Sequence, residues 1–209
     1  MQPEPSTRPR PRGRRDPRGE RRRGELLDAA IELIGTGGID AVTHRAVAAL
    51  AGAPTGSPSY YFTSKDALID EALRRLAEGE IARLRERRAA LGAAASDLDV
   101  VVEALAVWIE EQLTPTGRVA LLAQYHLQLE AARRPEAREI LEDWKDGTDE
   151  LAETAMALLG APDPVAAAIL LVAAIDGLRL RLVASGHEPL APGALRGVLR
   201  TLLVGLTSR

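Results

Sequence analysis

The sequence contains no cysteine and only three histidines among its 209 residues. Without cysteine the chain has neither a disulfide nor a thiolate metal site, and three scattered histidines offer little for a zinc site. We therefore expect no metal and no cofactor. The sequence also lacks a recognisable nucleophile–base set or phosphate-binding loop, which argues against an enzyme.

Long apolar runs are missing as well. The longest, residues 165–175, is too short to cross a bilayer, and the N-terminus lacks the apolar segment of a secretory signal. The sequence thus predicts a cytoplasmic protein with no membrane partner. Because the run is apolar on every side, we expect its helix to be buried all round, within its own domain or against a second copy of the chain.

Charge is distributed unevenly along the chain. Residues 1–23 hold nine arginines against three acidic residues, although the formal net charge of the whole chain is -3. Residues 1–20, in which proline and arginine recur, cannot bury apolar surface and are predicted to form a disordered basic arm. Two alternatives remain open for this arm: a solvated tail, or a segment that attracts DNA phosphates without reading sequence.

Helical periodicity dominates the rest of the chain, and strand-like alternation is not seen, so we predict an all-α fold of about nine helices. A first amphipathic helix begins at Arg21 and stops at Gly37. A short second helix follows Thr43, the predicted N-cap, with Val42 and Val47 placed as a hydrophobic staple. Together with the next short helix it forms a helix-turn-helix, a motif whose second helix enters the DNA major groove.

The later helices are predicted at about residues 64–91, 96–113, 116–133, 135–160, 164–185 and 192–206, with a break at residues 92–96. The arginine-rich end of the first of these, residues 83–88, is interpreted as a solvated face, with a contact to DNA as the alternative. In the last helix an apolar face is formed by Leu195, Val198, Leu199, Leu202 and Leu206. Paired with the helix before it, this face is predicted to form half of a four-helix interface in a homodimer.

Residues 54–66 contain three of the six aromatic residues side by side, at Tyr60, Tyr61 and Phe62. The sequence Thr-His-Arg-Ala-Val-Ala-Ala-Leu-Ala-Gly at residues 43–52 precedes them. A second pattern, Pro-x-Gly-Ser-x-x-Tyr-x-Phe-x-Ser-Lys-x-x-Leu, occupies residues 54–68. Residues 22–70 resemble the DNA-binding domain of TetR-family transcriptional regulators.

The resemblance implies a homodimeric regulator, usually a repressor, that binds operator DNA and is released by a small-molecule effector. It divides the chain into a helix-turn-helix domain at residues 21–66, a linking helix at residues 64–91, and a helical ligand-binding and dimerisation domain at residues 92–209. The alternative is a helical interaction protein whose helix-turn-helix is vestigial.

Several side chains of the motif suit DNA by their own chemistry. Gly56 permits a close backbone approach, and Arg45 can donate to a guanine or a phosphate. Lys65, in the first turn of a helix, opposes the helix dipole unless a phosphate docks there. Phe62 is predicted to be a core residue. The predicted DNA-binding residues are Thr43, His44, Arg45, Thr55, Gly56, Ser57, Ser59, Tyr60, Tyr61 and Lys65.

Pro58 departs from the family pattern, in which many relatives carry leucine at this position and tyrosine at the position of Ser59. Proline lacks an N–H and is tolerated only in the first turn of a helix. We therefore predict a short recognition helix that begins at Thr55 or later. The absence of a tyrosine at residue 59 makes Tyr60 the favoured phenolic contact.

In the family the effector lies among the middle helices of the second domain, where this chain is mainly apolar. An apolar or aromatic effector is therefore expected. Asp176 and Arg179, three residues apart on a helix, can alternatively pair with one another, and large residues here can simply be core. The predicted ligand-binding residues are Trp108, Gln112, Tyr125, His126, Leu129, Trp144, Thr148, Met156, Asp176 and Arg179.

Overall fold

Helices form all of the regular structure in residues 17–90, 96–185 and 193–208, the part of the chain that the computed structural model describes. The all-α prediction is confirmed. Nine α-helices lie in these ranges: α1 (Pro17–Gly37), α2 (His44–Leu50), α3 (Ser57–Tyr61), α4 (Lys65–Ala90), α5 (Leu98–Leu113), α6 (Pro115–Ala131), α7 (Pro135–Leu158), α8 (Pro164–Ala184) and α9 (Ala194–Thr207).

The first helix begins four residues earlier than predicted. Residues 17–20, assigned from the sequence to the basic arm, form the first turn of α1. Proline is well tolerated at the start of a helix, and Glu20 in that turn complements the helix dipole. Residues 1–16 of the predicted arm lie outside the described residues, as do the break at residues 92–95 and residues 186–192 before α9.

Local capping signals determine where the helices begin. The hydroxyl of Thr43 accepts a hydrogen bond from the backbone N–H of Ala46 at 3.1 Å, as predicted for the N-cap of α2. A carboxylate oxygen of Asp163 accepts from Ala166 N–H at 3.0 Å at the start of α8. Val42 and Val47 are both fully buried, as the predicted hydrophobic staple requires.

The buried residues form two clusters that do not follow the boundary predicted near residue 92. The first cluster joins α1, α2 and α4 to α6 and the first half of α7, and it includes Leu127 and Trp144. The second joins α5, the end of α7, α8 and α9. The helix-turn-helix therefore shares one core with α6 and the first half of α7, which pack on α1 and α4.

Helices α8 and α9 leave an apolar face uncovered in the single chain. Within residues 165–175, Ile169 is 60% exposed and Leu170 is 58% exposed, so this run is not buried all round by its own chain. In α9 the residues predicted to share one apolar face differ in exposure, since Leu195 and Leu199 are buried while Val198 is 48% exposed. None of the described helices is long and apolar enough to cross a membrane.

Candidate nucleic-acid interface and ligand cavity

The turn between α2 and α3 is shaped by Pro58. Helix α3 begins at Ser57, with Gly56 as its N-cap and the proline in its first turn, so the predicted late start of this helix is confirmed. The carbonyl oxygen of Pro58 accepts the backbone N–H of Phe62 at 2.8 Å. The Phe62 ring is buried, as predicted, and anchors the end of the short helix in the core.

The predicted DNA-contacting residues fall into two groups by exposure. Tyr60 is 83% exposed, and its ring meets the ring of Tyr61 edge to face at a centroid distance of 5.0 Å. Tyr61 itself is half-buried and packs against the first core cluster. The exposed group comprises Thr43, Arg45, Thr55, Gly56, Ser59 and Tyr60. The partly buried group comprises His44, Ser57, Tyr61 and Lys65.

One side-chain hydrogen bond ties the two helices of the motif together. The Nδ1 atom of His44, in the first turn of α2, lies 2.9 Å from the Oγ atom of Ser59 in α3. Either atom can be the donor, depending on the histidine tautomer. Both residues therefore have a role in holding α3 against α2, in addition to any contact with DNA.

Lys65 begins α4, directly after the recognition helix. The hydroxyl of Ser64 accepts the backbone N–H of Ala67 at 3.0 Å and so caps this helix. Lys65 and Asp66 both lie in its first turn. A cation at this end of a helix is unfavourable by itself, and a bound phosphate would remove the conflict.

Two adjoining cavities lie among helices α4 to α8. The first, of about 380 Å³, lies between α4, α5, α7 and α8 and has a mainly apolar lining. The second, of about 400 Å³, extends from it toward α6 and is more polar. Volumes of this size suit a small molecule. The residues shared by both linings are Leu84, Arg87, Trp108, Thr148, Val172, Asp176 and Arg179.

The structure gathers six of the ten predicted ligand-binding residues at these cavities. Four line both cavities: Trp108, Thr148, Asp176 and Arg179. Two more, Gln112 and Trp144, line the second cavity alone.

The other four predicted residues are not among those that line either cavity. Tyr125 lies nearby, and its hydroxyl donates to the backbone carbonyl oxygen of Asp176 at 3.2 Å. His126 lies against Gly38 near the helix-turn-helix. Leu129 is 57% exposed on α6, and Met156 is fully buried in the second core cluster.

Arg87 is a cavity residue that the sequence did not reveal, because residues 83–88 are interpreted there as a solvated face. In the structure Arg87 lines both cavities, and its guanidinium carbon lies 5.3 Å from the centre of the Trp108 ring. A signal is present nonetheless, because Arg87 continues the inward stripe of α4 at spacings of three and four residues after Leu76, Glu80 and Leu84.

Arg179 is the most deeply buried charge described in this region, at 3% exposure. Its guanidinium group donates to Asp176 Oδ1 at 3.0 Å and to Gln124 Oε1 at 2.5 Å, and lies 4.9 Å from the Trp108 ring centre. The alternative that Asp176 and Arg179 pair with one another is thus realised. Burial lowers the pKa of Arg179 and raises the pKa of Asp176, and in each case the partner's charge opposes the effect of burial.

Comparison with known proteins decides the family. Residues 96–209, more than half of the chain, match the family model described as "Tetracyclin repressor-like, C-terminal domain". Residues 26–72 match the model "Bacterial regulatory proteins, tetR family". The chain belongs to the TetR family of transcriptional regulators. The resemblance inferred from the helix-turn-helix motif is confirmed.

Individual relatives agree with this assignment. The regulator is 40% identical over 65 residues to the HTH-type transcriptional repressor KstR2 of Mycobacterium tuberculosis, a match that spans 31% of this chain and only 32% of that protein. The multidrug binding protein EbrR, solved with ethidium, is 33% identical, with 87% of this chain and 98% of EbrR covered and a TM-score of 0.60.

A second similar structure shows the shared fold alone. A putative transcriptional regulator from Saccharomonospora viridis, solved with choline, superimposes with a TM-score of 0.73 at 22% identity. The match covers 88% of this TetR-family chain and 96% of that one.

Proposed function

We propose that this regulator is a repressor that binds a palindromic operator as a homodimer and leaves it when a small-molecule effector binds. The observation that carries the proposal is the surface formed by α2, α3 and the start of α4, where Arg45, Thr55 and Tyr60 are exposed together beside Lys65. The name of KstR2, a transcriptional repressor, supports the direction of regulation.

The proposed division of labour at this surface follows from side-chain chemistry. Thr55, Gly56 and Ser57 precede or begin α3 and face the groove. Tyr60 and Lys65 bind phosphates, which position the protein without reading sequence. Arg45, exposed on α2, donates to a base edge or a phosphate.

The proposed dimer forms through α8 and α9. Their outward faces carry exposed apolar side chains, among them Ile169, Leu170, Leu180 and Val204. Exposed apolar area of this kind on two adjacent helices is typical of an interface. Burying it against the same face of a second copy gives a two-fold symmetric four-helix contact.

Helix α4 offers a direct connection between the two sites. Lys65 stands at its N-terminus and Arg87 lies near its other end, which at 1.5 Å per residue places them roughly 33 Å apart. An effector that moves Arg87 would tilt this helix and with it the attached recognition helix. The two recognition helices of the dimer would then no longer match half-sites about 34–36 Å apart.

An apolar or aromatic effector is supported by the mainly apolar lining of the first cavity and by the binding of ethidium to EbrR. The test is to titrate candidate compounds against the operator complex in a gel-shift or anisotropy assay. Compounds that bind the protein should release DNA. If no compound that binds the protein releases DNA, induction by effector is wrong.

DNA recognition is tested by selection of bound sequences from random DNA, followed by a salt titration. Lys65→Ala should weaken binding to all sequences and reduce the salt slope by about one unit, since one phosphate contact is lost. Arg45→Ala should weaken binding and can also relax base preference. Arg85→Ala, an exposed arginine far along α4, is the matched control and should change neither.

The alternative function, a helical interaction module with a vestigial helix-turn-helix, predicts the opposite outcome. Under this alternative, selection from random DNA enriches no sequence. The variants Lys65→Ala, Arg45→Ala and Arg85→Ala then all bind DNA with the same affinity. The exposed surface of α2 and α3 would then have no DNA partner, and the repressor proposal would be abandoned.

A further inference from the structure

The charged side chains that line the two cavities are almost all paired. Three carboxylates lie in the lining, and each has a cationic partner. Asp176 pairs with Arg179 at 3.0 Å and Asp149 with Lys145 at 2.6 Å, while Glu80 pairs with Arg83 outside the lining. None of these carboxylates is left to bind a cationic ligand without losing its partner.

Arg87 is the exception among the charged lining residues. Within the described part of the chain its guanidinium group makes no salt bridge, and its neighbour is the face of the Trp108 ring. The carboxylates of Glu80 and Glu111 lie near enough to favour its charge, whereas Arg83 opposes it. Burial outweighs these effects and lowers the pKa of Arg87.

A second unpaired donor belongs to Arg179, which lies over the same Trp108 ring. The Nε atom of Arg179 is buried without a hydrogen-bond partner in the described structure, although the other nitrogens of that group bind Asp176 and Gln124. Both guanidinium groups lie close to the same ring, at 5.3 Å and 4.9 Å from the centre of Trp108. The charge of Arg87 opposes that of Arg179 and contributes to lowering the pKa of Arg179. An anion bound at these groups would offset that repulsion.

The apolar part of the lining begins directly next to these donors. Val101, Leu105, Ala152 and Leu171 line the first cavity, which Arg87 and Arg179 also line. The site is therefore polar where the two guanidinium groups lie and apolar over the rest of its length. A ligand that matches this site must therefore carry a polar group at one end and an apolar body over the rest of its length.

We infer that the effector of this regulator is an amphipathic anion, a carboxylic acid whose carboxylate binds Arg87 beside Arg179 while its apolar body fills the cavity between α5, α7 and α8. The inference rests on the proposed ligand-responsive function and names the chemical class of the ligand. It narrows the apolar or aromatic effector proposed above to one that also carries a single acidic group.

The test compares three ligands with the same ten-carbon chain: decanoate, 1-decanol and decyltrimethylammonium. Both tryptophans of the chain line the second cavity, so quenching of their fluorescence reports binding to the full-length protein without DNA. Decanoate should bind about tenfold more tightly than 1-decanol, the gain expected from a hydrogen-bonded charge pair, and the cation should bind most weakly.

Arg87→Gln should remove the preference for decanoate over 1-decanol, and Arg87→Lys should retain part of it. Arg88→Gln is the matched control, because Arg88 is exposed and pairs with Glu150 away from the cavities. Circular dichroism of each variant verifies that it folds. Because 1-decanol needs no arginine, its unchanged affinity in Arg87→Gln shows that the cavity itself is intact.

Tightest binding by decyltrimethylammonium, binding by none of the three ligands, or an unchanged preference in Arg87→Gln would each overturn the inference. Failure of the proposed repressor function can be distinguished from failure of this ligand-site inference. A protein that prefers decanoate through Arg87 but binds no DNA sequence selectively would retain the ligand site and lose the repressor role.

Discussion

Gly35 of α1 lies so close to Val119 of α6 that a Cβ atom at residue 35 would stand 2.1 Å from the Val119 carbonyl oxygen. The two helices therefore cross at the closest approach that their backbones allow, and only glycine fits at this point. This contact seats the helix-turn-helix on the second half of the chain.

Gly35→Ala should destabilise the protein by about 1–3 kcal/mol, because the added methyl group meets backbone rather than a side chain that can move aside. Urea unfolding measures the change. Gly79→Ala in the interior of α4 is the control, since its Cβ would meet no atom within 4 Å. That change should be neutral or stabilising by up to about 1 kcal/mol. Equal effects of the two substitutions would contradict a tight α1–α6 crossing.

Asp176→Asn should lower the free energy of unfolding by more than the loss of one hydrogen bond. The substitution leaves the buried charge of Arg179 without its carboxylate partner. We expect a loss of about 1–3 kcal/mol, below the usual cost of breaking a buried pair since the Asp176 side chain is 37% exposed. In urea unfolding the double variant Asp176→Asn, Arg179→Met should be less destabilised than the sum of the two single variants. Additive losses would show that the pair is not coupled.

Breaking the hydrogen bond between His44 and Ser59 should cause a small loss of stability and a larger loss of DNA affinity. Ser59→Ala removes one partly exposed hydrogen bond, which contributes at most about 1 kcal/mol. The orientation of α3 against α2 would loosen, so binding to the selected operator should weaken.

A double-mutant cycle with His44→Ala isolates the contact, because the second substitution should add little once the first has removed it. Unfolding by urea and operator affinity are both measured on the three variants. If Ser59→Ala and His44→Ala weaken DNA binding independently, each residue acts on DNA alone and the contact between them is incidental.

Ile169→Glu should turn the proposed dimer into a monomer, because it puts a charge on the exposed apolar face of α8. Size-exclusion chromatography with light scattering measures the mass, and operator affinity should fall with it. Leu129→Glu changes an equally exposed apolar residue on α6 and serves as the control. A dimer that survives Ile169→Glu would mean that another surface joins the two copies.

Much of the helical organisation follows from the sequence alone, since the signals that set helix ends lie within a few residues of one another. Thr43 and Asp163 cap the helices that follow them, and Pro58 delays the start of α3. The motif at residues 43–68 is sufficient to indicate the family. The early start of α1 is not predicted, because the proline-rich composition before it obscures a proline that begins a helix.

Arg87 could not be placed by composition. Its neighbours in residues 83–88 indicate a solvated face, although its spacing from Leu84 and Glu80 puts it on the inward stripe of α4. Here periodicity is the better guide. His126 and Leu129 lie outside both cavity linings, because one segment of sequence does not show which side of a mainly apolar helix faces the cavity.

By itself the sequence determined the helical class, the caps, the short recognition helix and the family, because each depends on local order along the chain. Only the tertiary structure decided that Gly35 meets Val119, that the helix-turn-helix shares its core with α6 and α7, and that Arg87 and Arg179 face one indole ring. Those relationships join residues many positions apart. They depend on how whole helices cross, which no short stretch of sequence specifies.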